Sequence, residues 1–227
     1  MDKNKQLKNV HLTKDGSHTF YIEALDEYYH SLHGAIQESD TVFIKAGLHA
    51  VTKSEIHIFE MGFGTGLNAF MTYLEAKKTG KKIHYYTIEA YPISLEEAKT
   101  LNFHKELNAE SEYDTFLKMH QENWNEKMAL HKDFNLFKVK GKLEDLQIAS
   151  LPKFDLIYFD AFAPSAQPHL WEIEMLKKMY EILKPEGILT TYCAKGIFKR
   201  TLKEVGFAVE SLPGPIGKRE ITRASKQ

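Results

Sequence analysis

Apolar residues along this 227-residue chain recur with two periods, and the alternation between them lays out an architecture. Runs of strand length fall at 55–60 (EIHIFE), 83–89 (IHYYTIE), 136–140, 154–159 (FDLIYF) and 188–192 (ILTTY), with two more at 207–211 and 219–223. Between them apolar residues recur at helical spacing: Leu67, Phe70, Met71 and Leu74 in one stretch, and Leu170, Ile173, Leu176, Met179, Tyr180 and Leu183 in another. Ser94 marks a further helix start, and Pro185 with Gly187 is expected to end the second amphipathic helix. Residues 104–133 are long for a connection; Leu107, Phe116, Leu117, Met119, Trp124, Met128 and Leu130 predict extra helix there. Strands alternating with helices predict an α/β fold, a Rossmann-like and mainly parallel sheet with helices on both faces. One domain is expected, with residues 1–54 an N-terminal segment packing on a catalytic domain of residues 55–227. Such sheets bind ligands beyond the carboxyl ends of their strands, which directs attention to the residues just after each strand.

The first strand runs into Glu60-Met61-Gly62-Phe63-Gly64-Thr65-Gly66 and then directly into a helix. Three glycines at alternate positions let backbone approach a ligand without interference from Cβ. The dinucleotide fingerprint is GxGxxG, but here Leu67 holds the later place, and an acid precedes the first glycine. Glu60 suits the ammonium of a methionine moiety and would be a poor neighbour for phosphates. Glu89, ending the second strand, can accept both ribose hydroxyls of an adenosine. These features fit S-adenosylmethionine better than NAD, with a plain tight turn and an ordinary strand-end carboxylate as the alternatives. Asp160 closes the fourth strand and begins Asp160-Ala161-Phe162-Ala163-Pro164. A carboxylate there can hold an incoming amine and stabilise the ammonium that forms; the alternative is an Asp capping the next element. Trp171 reads as half-core in preference to base-stacking.

Composition changes this outline in two respects. The formal net charge is −1, yet from Lys195 onward eight Lys/Arg face three acids. Lys195, Arg200, Lys218 and Arg219 are therefore candidate phosphate contacts, against the alternative of a solvated lysine-rich surface. Cys193 is the sole cysteine, which excludes a disulfide framework and reads as a small buried hydrophobe. No apolar run approaches the roughly 20 residues of a membrane span, and the start MDKNKQLKNV lacks a signal peptide's apolar core. The expectation is a soluble, cytoplasmic protein with no membrane contact. The histidines form no HExxH or Cys/His cluster, and no metal is expected.

The order FxxGFGTGLN, an acid after strand two, DAFAPxxxPxLW, LKPEGxLxTY and a terminal GxxGKRE resembles the tRNA 5-aminomethyl-2-thiouridine methyltransferase family: the MnmD enzymes and the N-terminal half of bifunctional MnmC. The likeness runs from about Leu12 to Arg223 and includes Tyr29-His30-Ser31 and Glu38-Ser39. It implies a Rossmann-like S-adenosylmethionine-dependent methyltransferase that methylates the 5-aminomethyl nitrogen of a (2-thio)uridine at the tRNA wobble position. The implied donor is S-adenosylmethionine, with no metal and no FAD. The implied partners are tRNA and a separate oxidase or other upstream wobble-uridine modification enzymes. Carried over by position, Gly62, Gly64, Thr65, Gly66 and Asn68 would line the donor pocket, and Glu89 would take the ribose. Asp160 would face the substrate amine, with Tyr29 and Ser31 closing the pocket. Where the family commonly has Gly-Asp-Ala after strand three, this chain has Gly141-Lys142-Leu143, so Lys142 and Leu143 stand at the adenine position and Glu144 or Asp145 is left to replace the missing acid. The rival readings are methylation of a small-molecule or protein amine, a non-catalytic RNA-binding module, and an NAD-dependent oxidoreductase.

Overall fold

The structure is a computed structural model in which residues 9–227 are described. Residues 1–8, the first part of the expected N-terminal segment and most of the MDKNKQLKNV stretch, lie outside the described residues. The described chain begins with a small antiparallel sheet of β1 (Asn9–Leu12), β2 (His18–Ile22) and β3 (Glu27–Tyr28). The short helix α1 (Ala35–Ser39) and a π-helical turn, Asp40–Lys45, follow. Then come β4 (Glu55–Met61), α2 (Leu67–Thr79), β5 (Lys82–Glu89), α3 (Leu95–Lys99), α4 (Phe103–Glu106), α5 (Tyr113–Met119), β6 (Lys127–His131) and β7 (Phe134–Lys140). The remainder is β8 (Phe154–Phe159), α6 (Ile173–Ile182), β9 (Leu183–Thr191), α7 (Gly196–Val205), β10 (Phe207–Pro213) and β11 (Glu220–Lys226).

Strands β4 to β11 form one sheet in the order β10-β11-β9-β8-β4-β5-β7-β6. The five central strands are parallel, and β6, β10 and β11 join antiparallel at the two edges. The strand order reverses at β4, where the connection to β5 goes one way and β8 lies on the other side. Ligands of parallel sheets gather above such a reversal.

All six residues of β8 are buried, as a central strand covered on both faces requires. Leu156 and Tyr158 enter one cluster with Phe43, Ile58, Phe70 and Tyr85, while Ile157 and Phe159 enter a second with Leu176, Met179 and Phe198. Helix α2 covers the first face, and α6 and α7 cover the second. Met175, Leu176, Met179 and Ile182 form the buried stripe of α6, each side chain of this kind stabilising by about 1.5–3 kcal/mol. Asp155 is the single charge in β8. Its carboxylate accepts from Lys53 Nζ at 2.6 Å, Lys184 Nζ at 2.7 Å and the His57 N–H at 2.9 Å, tying β8 to its neighbours.

Two predicted elements differ. The stretch 104–133 is helical through α4, a 3-10 turn at Glu110–Glu112 and α5, but Met128 and Leu130 lie in β6, which folds back antiparallel on β7. Apolar spacing alone does not separate a short edge strand from a helix end. Pro185 and Gly187 do not sit between helix and strand either: α6 stops at Ile182 and β9 already begins at Leu183. A bulge accommodates them, with the β8–β9 register shifting between Phe154 and Leu156 and Glu186 at φ 63°. Ser94 is the N-cap of α3, in a capping box with Glu97.

Candidate active site

The turn after β4 is built for close approach. Gly62, Gly64 and Gly66 have φ of 90°, 51° and 74°, values that side-chain-bearing residues rarely adopt. Space is equally restrictive. A Cβ on Gly62 would lie 2.9 Å from the Asp160 carbonyl oxygen, and one on Gly64 3.1 Å from the Tyr29 ring. Gly66 N-caps α2. Two neutral histidines flank the turn: His30 Nε2 lies 3.3 Å from Thr65 Oγ1, and the His120 ring packs against Phe63. Burial pushes His30 down to about 4 and His120 to about 3.

A cleft of about 1520 Å³ opens beyond the carboxyl ends of β4, β5, β7 and β8. Tyr29, Ser31, Gly62, Gly64, Thr65, Asn68, Glu89, Lys142, Leu143, Asp160 and Lys218 all line it. The Glu89 carboxylate accepts the Gly64 N–H at 2.9 Å through one oxygen and the Tyr91 N–H at 2.8 Å through the other. Each carboxylate oxygen can accept more than one hydrogen bond, so acceptor capacity toward the cleft remains. Leu143 is buried, Lys142 exposed, and Glu144 reaches the cleft wall while pairing with His169 at 3.0 Å. Asp145 does not line the cleft.

Asp160 stands beside the glycine turn, its N–H donating to the Met61 carbonyl at 3.3 Å. Asn68 Nδ2 donates to Asp160 Oδ2 at 2.8 Å, so the first turn of α2 holds this carboxyl in place. Burial raises the Asp160 carboxyl to about 7; the nearby Glu38 adds to the rise, while Asn68 and Lys218 oppose it. The following loop is anchored from below: Trp171 Nε1 donates to the Phe162 carbonyl at 2.9 Å, and Tyr192 Oη to the Ala161 carbonyl at 2.8 Å. Trp171 packs against Phe159 and Phe198 and is core. Across the cleft, the Tyr29 ring meets Phe162 edge-on with centroids 5.2 Å apart.

Several residues fall elsewhere than the sequence suggests. Glu60 is fully buried and, like Gly66, is not part of the cleft lining. Lys218 is not a surface cation: its ammonium pairs with Glu38 and lies 4.0 Å from the Tyr192 ring centroid, inside the cleft. Lys195, Arg200 and Arg219 are exposed and form no salt bridge among the described residues. Glu38 and Tyr192 were not singled out as cleft residues in the sequence, because their role depends on Lys218, 180 positions from Glu38. Cys193 is buried, and burial raises its thiol. Glu55, His57 and His84 come together at the opposite end of the sheet, but Lys82 and His84 already engage the Glu55 carboxylate. No helix among the described residues is long and apolar enough to cross a membrane.

Comparison with known proteins agrees with this geometry. Residues 104–227 match the family described as S-adenosyl-L-methionine-dependent methyltransferase. A tRNA 5-methylaminomethyl-2-thiouridine biosynthesis bifunctional protein MnmC from Leptospira interrogans is 30% identical over 225 residues, covering 92% of this chain and 34% of that protein. The MnmC of Pseudomonas entomophila is 28% identical over 214 residues, covering 86% and 31%. The chain thus spans about a third of the length of these curated relatives. Among solved structures, MNMC2 from Aquifex aeolicus superposes with a TM-score of 0.79 at 21% identity, covering 100% of this chain and 72% of that one. A spermidine synthase in complex with the transition-state analogue AdoDATO gives 0.53 at 15% identity, covering 96% and 72%.

Proposed function

Because the chain belongs to the S-adenosyl-L-methionine-dependent methyltransferase family, we propose that it methylates the 5-aminomethyl nitrogen of a (2-thio)uridine at the tRNA wobble position, giving 5-methylaminomethyl-(2-thio)uridine. The observation that carries this reading is Asp160: a desolvated carboxyl beside the glycine turn, tethered by Asn68, in a cleft with room beyond a donor. The cleft volume exceeds the ~300–1000 Å³ of an ordinary small-molecule pocket. The named activity of the MnmC relatives supports the choice of substrate.

The glycine turn fits the donor, since its backbone is open to approach and Glu89 offers acceptors for ribose hydroxyls. Gly62, Gly64, Thr65 and Glu89 would hold S-adenosylmethionine, with Leu143 and Glu144 along the wall where the adenine is expected. Bound there, it supplies an electrophilic methyl carbon. The chain's own contribution lies in orientation and proton handling. An aminomethyl group enters mostly as an ammonium and must give up a proton to expose its lone pair. Asp160 holds the ammonium by a charge-assisted hydrogen bond, and with an affinity near neutrality it accepts that proton. Tyr29 and Phe162 narrow the cleft above it and keep the nitrogen aligned.

The wobble base must enter unstacked, which an anticodon loop permits more readily than a duplex. Exposed Lys195, Arg200 and Arg219 would meet phosphates of the stem, positioning it without reading sequence. Upstream wobble-uridine modification, including a separate oxidase step, would supply the aminomethyl group.

The test is transfer of tritiated methyl from S-adenosylmethionine to bulk tRNA from cells lacking this enzyme, followed by nucleoside analysis. Label in 5-methylaminomethyl-(2-thio)uridine is expected. Label confined to small amines or protein would replace the substrate, and label at another nucleoside would replace the position.

A further inference from the structure

The amide of Asn68 raises a question that the cleft does not answer. Its Nδ2 donates to Asp160 Oδ2 at 2.8 Å, but its Oδ1 is buried with no hydrogen-bond partner. An amide turned by 180° would aim oxygen at a carboxylate and repel it. That repulsion favours the observed orientation, and a donor on the far side of the amide would fix it. The side chain there is Glu60, fully buried at the end of β4 and faced by Asn68, Thr87 and Tyr85. Both Glu60 oxygens, Tyr85 Oη and Thr87 Oγ1 are also buried and unpaired, so these groups form one polar pocket beneath the first turn of α2. Glu60 forms no salt bridge among the described residues, and the charge that acts on it is that of another carboxyl, Asp160. Ionised, it would be a buried anion with no cation beside it; Thr87, Asn68 and Tyr85 favour that form, but burial outweighs them. Protonated, it becomes a donor, the type of partner that Asn68 Oδ1 lacks.

We propose that Glu60 is a positioning residue that stays neutral and donates toward Asn68 Oδ1, fixing the amide with Nδ2 toward Asp160. Glu60 thereby acts on the methyl-acceptor side through Asn68. The sequence had suggested the donor's ammonium as its partner, but Glu60 does not reach the cleft. Its carboxyl lies well above the ordinary range, first through burial and then through Asp160. The catalytic consequence rests on the function proposed above; the positioning itself does not.

The decisive experiment follows the Asp160 carboxyl by ¹³C NMR across pH, in the full chain without donor or substrate, with the signal assigned from Asp160→Asn. In Glu60→Gln the amide still donates to Asn68, and the Asp160 midpoint should stay near that of the wild type. In Glu60→Leu the Asn68 amide is released, a hydrogen bond to the charged form is lost, and the midpoint should rise by about one unit. An Asp160 midpoint that falls by about one unit in Glu60→Gln would mean that Glu60 is an anion, and would overturn the proposal. An unchanged midpoint in a folded Glu60→Leu would do the same. Should Glu60→Leu not fold, Glu60→Gln alone decides. A second readout is the pH profile of methyl transfer, whose acid limb should move upward in Glu60→Leu and not in Glu60→Gln, with donor Kd unchanged in both. Weakened donor binding in Glu60→Gln would return Glu60 to the donor side. If the NMR shifts appear but no variant, nor the wild type, methylates tRNA, the substrate assignment fails and the positioning role stands.

Discussion

On the proposed function, Asp160 concentrates the chemistry in one ionisable group. With a carboxyl raised to about 7, its proton-accepting form is populated above that pH and lost below it. Methyl transfer under kcat/KM conditions should therefore rise with pH through a midpoint near 7, and a profile flat from pH 5 to 8 would remove Asp160 from proton transfer. Asp160→Asn keeps the size and removes the charge. Turnover should fall by roughly 10²–10³, as for the loss of one preorganised electrostatic contact, while donor Kd changes little; single-turnover kinetics and calorimetry separate the two. Gly64 imposes a different demand. At φ 51° and 3.1 Å from the Tyr29 ring, a valine there is strained in backbone and crowded in side chain. Gly64→Val should abolish the rise in melting temperature that S-adenosylmethionine gives the wild type, and NAD should give neither protein a rise.

Asp155 shows what a single polar position can do for a strand. It anchors β8 to Lys53, to Lys184 at the start of β9 and to the backbone of β4. Burial alone would raise its carboxyl, but the hydrogen bonds from Lys184, Lys53 and His57 outweigh burial and hold it below 3.8. That stability is present above the unfolded pKa and lost as pH falls through the lower folded value. Asp155→Ala should cost about 2–3 kcal/mol in urea unfolding at pH 7, less than a fully buried pair because both lysines can return to water. The same difference should vanish toward pH 2. Much of this level was legible in the sequence. Every parallel strand and α2 carried a period or a cap that local physics fixes, and the glycine turn with Asp160 followed from their position after strands. What was not legible depended on pairing between distant strands. Met128 and Leu130 read as helix because nothing local reports that β6 folds onto β7. Pro185 and Gly187 read as a break because a bulge is defined only against its neighbour.

Six of the eight cations from Lys195 onward fall into two groups once the chain is folded. Lys199, Lys218 and Arg223 are each spent on a carboxylate, whereas Lys195, Arg200 and Arg219 face solvent. Sequence charge counting could not make that division. Replacing the exposed three by Ala should weaken tRNA binding and reduce the slope of log K against log salt by about 2–3, with donor Kd unchanged. A wild-type slope in the folded triple variant would place the RNA elsewhere. Lys218 belongs instead to a clasp, for its partner Glu38 lies 180 residues away. Contacts of that separation are kinetically late, since a long loop must close before they form, and parallel sheets already rely on non-local pairing. The order of events in refolding follows from this. After dilution from denaturant, far-UV circular dichroism should recover first and ligand-induced fluorescence change only afterwards, with the delay shortened by no increase in ligand concentration. The cleft would then be the last part of the protein to mature, and a newly made chain would pass through a period in which it is folded in outline yet unable to engage either substrate.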